Sequence, residues 1–173
     1  MIIMHSTDPL SLHRVPFSAH LNLASVKNFK KMKRILMIED DPEMAELITR
    51  SLKNKFSCAT YIANDPFEAM NLMSENFYDL IILDWQLPGL NGSETLQHAD
   101  KSLSLEPSLP IQWDHKKVPV VIVSASKRKD CNLRQTDHFN YVGYVSKLQP
   151  LNTIVDCIGD FIDDERNFKY KLA

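Results

Sequence analysis

Residues 79–92 read DLIILDWQLPGLNG, and this stretch decides the fold. An uninterrupted apolar run, residues 80–83, leads directly into Asp84, and a proline and two glycines follow. A short apolar run between turn signals is typical of a strand that is buried on both faces, as in the middle of a parallel sheet. The run therefore predicts that Asp84 emerges at the carboxyl end of a central strand. There it either caps the next turn or belongs to a polar site that compensates its charge.

Strand-like and helix-like patterns alternate along the chain from Lys33 onward. Helices are predicted after Asp41-Pro42 and Asp65-Pro66, where each aspartate can cap the first turn. Five strands alternating with five helices predict the α/β class, a doubly wound parallel sheet with helices on both faces. The predicted strands cover residues 34–38, 57–63, 80–83, 118–123 and 141–146. The other predicted helices cover residues 92–101, 127–138 and the residues from 150 onward.

The composition indicates one ordinary globular domain, since 44% of the 173 residues are hydrophobic and 24% are charged. No apolar run is long enough to cross a membrane, and the first residues lack the apolar core of a signal peptide. The three cysteines are widely spaced, which favours free thiols in a reducing compartment. We therefore expect a cytoplasmic protein that does not bind membranes. His98, His115 and His138 are scattered, and we expect them at the surface.

Charge is distributed unevenly along the chain. The first 34 residues contain six lysines or arginines and one acidic residue, whereas the rest contains 14 basic and 21 acidic residues. We expect residues 1–31 to form a basic, disordered leader and residues 32–165 to form the domain. We also expect residues 104–117 to form a long insertion before the fourth strand and residues 166–173 to form a tail, too short for an output domain. The negative charge of the domain argues against direct nucleic-acid binding.

Polar side chains follow four of the predicted strands, at the edge where the carboxyl ends of parallel strands meet. Carboxylates brought together repel one another unless a cation neutralises them, and oxygen ligands on tight turns suit Mg²⁺. A lysine and a hydroxyl beside such a metal can hold a phosphoryl group, and a carboxylate there is a candidate nucleophile. We expect Asp41 mainly to cap the first helix. The polar residues are Glu39, Asp40 and Asp41 after the first strand, Asp84 after the third, Ser124 after the fourth and Lys147 after the fifth.

Four stretches of the sequence, in their order and spacing, resemble the receiver domain of two-component response regulators. They are ILMIEDD, DLIILDWQLPGLNG, VPVVIVSAS and YVSK. The resemblance extends from about Lys33 to Glu165. It implies a flavodoxin-like sheet with strand order 2-1-3-4-5 and a stand-alone regulator similar to the chemotaxis regulators. It also implies a phosphorylation-dependent signalling switch. Such a protein is not an enzyme beyond catalysing its own phosphotransfer and autodephosphorylation.

The resemblance implies that Asp84 accepts a phosphoryl group from a histidine kinase or a histidine phosphotransfer protein. Ser124 matches the switch hydroxyl, Lys147 matches the phosphate-binding lysine, and Tyr144 matches the aromatic that turns inward upon activation. The signal would leave towards an unidentified downstream protein, through the face around the predicted fourth helix, the fifth strand and the last helix. A homodimer linked to phosphorylation is also left open.

The resemblance further implies a Mg²⁺ site. Asp84 and Asp40 match direct ligands of the metal, and Glu39 matches a partner that acts through water. The backbone carbonyl of Gln86 matches the main-chain ligand.

Three alternatives to a phosphorylated receiver remain open. Leu148 follows Lys147 where the family usually has proline, which predicts a trans or remodelled loop. This departure favours a pseudo-receiver, an interaction module that is not phosphorylated. The chain could instead be the N-terminal part of a longer transcription regulator. A phosphatase of the haloacid dehalogenase type is disfavoured, because those enzymes resemble one another in having a second aspartate where Gln86 stands here.

Overall fold

The structure is a computed structural model and describes residues 32–105, 117–131, 134 and 136–163. Its strands form one parallel sheet in the order β2-β1-β3-β4-β5. This order confirms the predicted flavodoxin-like α/β fold. The strands are β1 (Lys33–Ile38), β2 (Cys58–Ala63), β3 (Leu80–Leu83), β4 (Val118–Ser124) and β5 (Phe139–Ser146).

Four α-helices lie on the two faces of the sheet within the described residues. They are α1 (Pro42–Lys55), α2 (Pro66–Glu75), α3 (Gly92–Leu105) and α4 (Leu151–Asp163). Residues of α1 and α4 share one buried apolar cluster with the sheet, and residues of α2 and α3 share the other. No described helix is long and apolar enough to span a membrane. The leader, most of the 104–117 insertion and the C-terminal tail predicted from the sequence lie outside the described residues.

The central strand β3 is buried along its whole length, as its apolar run predicts. Each of its four residues is at most 2% exposed. Its neighbours β1 and β4 pair with it in parallel, so the carboxyl ends of all three strands lie at one edge of the sheet. The residues that directly follow these strands are therefore brought together by the fold.

The helix caps predicted from Asp41 and Asp65 are confirmed. The Asp41 carboxylate accepts hydrogen bonds from the backbone N–H groups of Glu43 and Met44, at 3.0 and 3.2 Å. Asp65 caps α2 in the same way, and a proline follows each cap at the first helical position. Each cap satisfies backbone donors that have no partner within the helix. Asp41 thus caps α1, as expected from the sequence.

The helix predicted over residues 127–138 is wrong. Among the described residues of this stretch, only Arg128–Asp130 are helical, as a single 3₁₀ turn. Further along, the Thr136 hydroxyl and the Phe139 backbone exchange hydrogen bonds in a local turn. The sequence KRKDCNLRQTDH has no apolar stripe at helical spacing, so an α-helix here would have no face to bury. The connection between β4 and β5 is consequently held by individual polar contacts.

One of these contacts joins the connection to α3 and corrects the expectation that His138 is a surface residue. The Asp100 carboxylate accepts hydrogen bonds from the backbone N–H groups of Asp137 and His138, at 3.0 and 2.8 Å. It also lies 2.8 Å from Nδ1 of the partly buried His138 ring. Although burial alone would raise the pKa of Asp100, these hydrogen bonds lower it below its ordinary value of 3.8.

We expect Asp100→Asn to lower the free energy of unfolding by about 1–2 kcal/mol at neutral pH, since a charged acceptor is lost. Because the pKa of Asp100 is lower in the folded state, its ionised form stabilises the fold above pH 3.8. That stabilisation is lost as the pH falls through the folded pKa. Urea unfolding of both proteins should therefore show a difference at neutral pH that shrinks below pH 3.8. The exposed Glu75→Gln variant is the control, and an equal difference at both pH values would contradict the assignment.

Candidate functional site

Two buried carboxylates lie side by side where β1 and β3 end. Glu39 follows β1, and its backbone N–H donates to the Ala63 carbonyl at 3.0 Å. Asp84 follows β3, and its backbone N–H donates to the Ile38 carbonyl at 2.9 Å. These bonds continue the parallel pairing one residue beyond the strands and fix both side chains at the sheet edge. Glu39 is 1% exposed and Asp84 is 5% exposed, so both carboxyl groups require compensation.

A third carboxylate completes an all-oxygen cluster. Oxygen atoms of Glu39, Asp40 and Asp84 all lie within 4.8 Å of one another. Asp40 is exposed, so the cluster opens to solvent on one side. Oε2 of Glu39 is buried and has no hydrogen-bond partner, although a buried carboxylate oxygen normally has one. Several carboxylate oxygens with an unpartnered lone pair fit a hard divalent cation that prefers oxygen ligands, such as Mg²⁺.

Lys147 lies across the two buried carboxylates. Its Nζ donates to Oε1 of Glu39 at 2.6 Å and to Oδ2 of Asp84 at 2.7 Å. The backbone N–H of Lys147 donates to the Ser124 carbonyl at 2.9 Å, which places the lysine at the end of β5 beside β4. The side chain retains 14% exposure, so its ammonium group can reach a ligand arriving from solvent. The structure therefore brings Glu39, Asp84 and Lys147 together, as the sequence predicted.

The charges of this group are unbalanced, because one ammonium faces three carboxylates. Burial raises the pKa of Glu39 above its ordinary value, and the charges of Asp84 and Asp40 raise it further against the opposing effect of Lys147. Burial alone would lower the pKa of Lys147, but its hydrogen bonds to Asp84 and Glu39 raise it, so the ammonium stays charged. The deficit of positive charge is the electrostatic reason to expect a cation here.

Ser124 and Tyr144 are connected by hydrogen bonds at the end of β4. Ser124 is fully buried, and its hydroxyl oxygen accepts a hydrogen bond from the Ser126 backbone N–H at 3.2 Å. The Tyr144 hydroxyl donates to the carbonyl oxygens of Ser124, at 3.3 Å, and Ser126. The phenol is thus directed towards the backbone of the loop that follows β4. The functional roles of both residues stay predictions, while their proximity is a structural finding.

The loop that follows Asp84 depends on a glycine whose importance the sequence analysis missed. The backbone N–H of Gln86 donates to Oδ1 of Asp84 at 3.1 Å. A Cβ atom built on Gly92 would lie 2.7 Å from the Asp84 carbonyl oxygen and 3.1 Å from two side-chain carbons of Leu83. No side chain fits there without displacing the Asp84 backbone. The sequence indicates Gly92 only as a turn signal at the start of a helix, and neither feature predicts its close approach to the Asp84 backbone. The Gln86 carbonyl as a metal ligand stays a prediction.

The loop at the unusual Lys147-Leu148 junction is trans, since the described residues contain no cis peptide bond. This confirms the expectation from the missing proline. The Leu148 backbone N–H donates to the Ser146 hydroxyl at 3.2 Å, and the Leu148 side chain is 79% exposed. Leu148 therefore places an apolar side chain in solvent next to Lys147. Lys147 still donates to the carboxylates of Glu39 and Asp84.

Comparison with known proteins agrees with this geometry. A family model described as the response regulator receiver domain matches residues 35–158, more than half of the chain. The chain is 29% identical over 129 residues to the "Probable transcriptional regulator ycf29" of Pyropia yezoensis, covering 75% of the chain and 53% of that protein. It is 30% identical over 118 residues to the transcriptional regulatory protein MalR of Bacillus subtilis, covering 67% of the chain and 44% of MalR. The chain thus spans about half the length of these curated relatives.

Solved structures share the fold. The chain is similar to the chemotaxis response regulator CheY4 of Vibrio cholerae, with a TM-score of 0.55 and 16% sequence identity. That similarity covers 75% of the chain and 98% of the CheY4 chain. At this level of identity, the likeness supports the architecture and does not by itself assign any residue a role.

Proposed function

The chain belongs to the response regulator receiver family, and on that basis we propose that Asp84 carries the phosphoryl group of a two-component signalling switch. The observation that carries the proposal is the meeting of three carboxylates and the Lys147 ammonium at one sheet edge, with carboxylate oxygens within 4.8 Å of one another. A capping role for Asp84 alone would not require a partly buried lysine between it and Glu39.

The chemistry is transfer of a phosphoryl group from phosphohistidine. An Asp84 carboxylate oxygen attacks phosphorus, a new P–O bond forms, and the P–N bond to the histidine of the donor protein breaks. The leaving imidazole nitrogen keeps the electron pair of that bond. The groups that would hold Mg²⁺ are the carboxylates of Glu39, Asp40 and Asp84 and the Gln86 carbonyl. When bound, the metal would supply positive charge to the phosphoryl oxygens.

Lys147 and Ser124 supply hydrogen-bond donors to the phosphoryl group in this proposal. Lys147 already touches Asp84 and can transfer one of its hydrogen bonds to a phosphoryl oxygen. Ser124 at present accepts a hydrogen bond from Ser126, and a turn of its hydroxyl towards the phosphoryl group would weaken that contact. Tyr144, which binds the carbonyls of Ser124 and Ser126, would respond to the change. Phosphorylation then shifts the population between two arrangements of this loop.

The test is phosphorylation by acetyl phosphate with Mg²⁺, followed by intact-mass measurement. Wild-type protein should gain the mass of one phosphoryl group, and the gain should disappear in Asp84→Asn or when a chelator removes Mg²⁺. Asp65→Asn is the matched control. It changes an aspartate at the same edge of the sheet, and asparagine can take over the role of Asp65 as the cap of α2. A mass gain that persists in Asp84→Asn would overturn the assignment of the acceptor. Absence of any gain would favour the pseudo-receiver, an interaction module without phosphorylation.

We propose a histidine kinase or histidine phosphotransfer protein as the donor, a protein as the downstream partner and the cytoplasm as the location. In this proposal the chain turns over no external substrate.

The named relatives are longer transcriptional regulators, so a second candidate is that these residues act as the receiver of a larger regulator. Gel-shift assays with DNA from the native locus, comparing this chain with any longer gene product, would separate a DNA-binding regulator from a receiver that signals through proteins.

A further inference from the structure

A small cavity lies between the loop that follows β3, the first two turns of α3 and the connection between β4 and β5. Its volume is about 240 Å³, below the roughly 300–1,000 Å³ of pockets that bury drug-sized ligands, so it suits a smaller molecule. The residues that line it are Trp85, Asn91, Ser93, Glu94, Gln97 and Arg134. None of the carboxylates of Glu39, Asp40 and Asp84 lines it, so the cavity is not part of the proposed phosphorylation site.

Ser93 contributes a buried hydroxyl group to this cavity. The residue is 7% exposed, and its hydroxyl oxygen accepts hydrogen bonds from the Gln97 side-chain amide at 3.1 Å and from the Arg134 backbone N–H at 3.4 Å. Within the described part of the chain, no acceptor takes the Ser93 hydroxyl proton, although buried polar groups normally use their donors. The Ser93 hydroxyl can therefore donate a hydrogen bond to a ligand in the cavity.

Two opposite charges line the cavity without pairing with each other. The Arg134 guanidinium donates to Oε1 of Gln97 at 3.5 Å, a long contact that leaves its other donors for a ligand. Oε2 of Glu94 accepts from the Asn91 backbone N–H at 2.9 Å, which leaves its Oε1 for a ligand. The ion pairs among the described residues do not include one between Arg134 and Glu94. Each charge is thus available to an opposite charge on a bound molecule.

From these contacts we propose that the cavity binds a zwitterionic α-amino acid with an apolar side chain. Arg134 and the Ser93 hydroxyl would donate to its carboxylate, and Glu94 would accept from its ammonium group. The partly buried Trp85 ring would contact the apolar side chain. A simple anion would meet the charge of Glu94 and a simple amine that of Arg134, so the two charges together select a zwitterion. This inference does not depend on phosphorylation of Asp84.

The ligand would strengthen the attachment of the β4–β5 connection to α3. That attachment already includes the contact between Asp100 and His138, whereas Arg134 reaches Ser93 and Gln97 only through long hydrogen bonds. An amino acid held by Arg134 on one side and by α3 on the other would fix this part of the connection. Because the cavity exists only in the folded chain, each amino acid should also raise the midpoint of thermal unfolding, in the order of the affinities.

The experiment is isothermal titration calorimetry of the full chain with leucine, methionine and phenylalanine. Wild type should bind at least one of them with a Kd below about 10 mM, the weakest affinity expected for ligands of this size. Arg134→Gln and Glu94→Gln should each bind at least about fivefold more weakly, because each variant removes a charged partner of the ligand. Glutamine can still accept the Asn91 hydrogen bond at the start of α3, so the second variant keeps that cap. Arg50→Gln, which removes an exposed arginine of α1, is the matched control and should remain within about twofold of wild type.

Two analogues of leucine test the selection of a zwitterion. N-acetyl-leucine lacks the ammonium charge and leucine amide lacks the carboxylate, so each should bind at least about fivefold more weakly than leucine. Equal binding of leucine and either analogue would overturn the assignment of the ligand class. Undiminished binding in both Arg134→Gln and Glu94→Gln would overturn the site. Absence of binding for all three amino acids at about 10 mM would overturn the proposal as a whole.

Discussion

Lys147→Met is expected to lower the free energy of unfolding by about 2–4 kcal/mol at neutral pH in buffer without divalent cations. The variant leaves the buried carboxylates of Glu39 and Asp84 with no opposite charge, and removing one partner of a buried ion pair costs more than the pair contributes. The lower end of the range applies if water enters, since the Lys147 side chain is 14% exposed. Urea unfolding measured by circular dichroism gives the difference directly.

The same variant should respond more strongly to Mg²⁺ than the wild type does. With the ammonium gone, a divalent cation is the remaining source of positive charge, so saturating Mg²⁺ should recover a large part of the lost stability. Lys101→Met, on the exposed surface of α3, is the control and should change neither stability nor the response to Mg²⁺. Equal stability of Lys147→Met and wild type without Mg²⁺ would show that the lysine does not compensate the buried carboxylates.

Gly92→Val is expected to lower the free energy of unfolding by about 2–3 kcal/mol and to slow phosphorylation of Asp84 at least about tenfold. The new Cβ would lie 2.7 Å from the Asp84 carbonyl oxygen, so the backbone that carries the proposed acceptor must move. Small displacements of a reacting group are enough to reduce the rate of transfer strongly. Initial rates of phosphorylation by acetyl phosphate and urea unfolding would measure the two effects separately.

Gly89→Ala provides the matched comparison for Gly92→Val in the same loop. A Cβ atom on Gly89 meets nothing within 4 Å, but the residue has a φ of +82°, a conformation that side chains disfavour. We expect a cost of about 1–2 kcal/mol from that conformation and a phosphorylation rate close to wild type. Similar rates in Gly92→Val and Gly89→Ala would mean that the approach of Gly92 to Asp84 is unimportant for the acceptor.

Local patterns predicted most of the fold and placed the candidate site residues at one sheet edge. The apolar run of β3 and the Asp-Pro starts of α1 and α2 act over a few residues, so the sequence signals them directly. The same patterns failed for residues 127–138. Regular alternation of strands and helices predicts a fourth helix there, although that stretch lacks an apolar face. The 3₁₀ turn and the Asp100–His138 contact replace it, and neither has a local sequence signal.

The sequence by itself determined that Asp84 follows a central buried strand, and that acidic, hydroxyl and lysine side chains follow its neighbours. Only the tertiary structure decided that one Lys147 ammonium bridges Glu39 and Asp84, which lie 108 and 63 residues away along the chain. It alone decided how closely Gly92 approaches the Asp84 backbone and which Glu39 oxygen lacks a partner. The reason is physical: strand patterns depend on neighbours in sequence, whereas distances between charges depend on how separate strands and loops pack against one another.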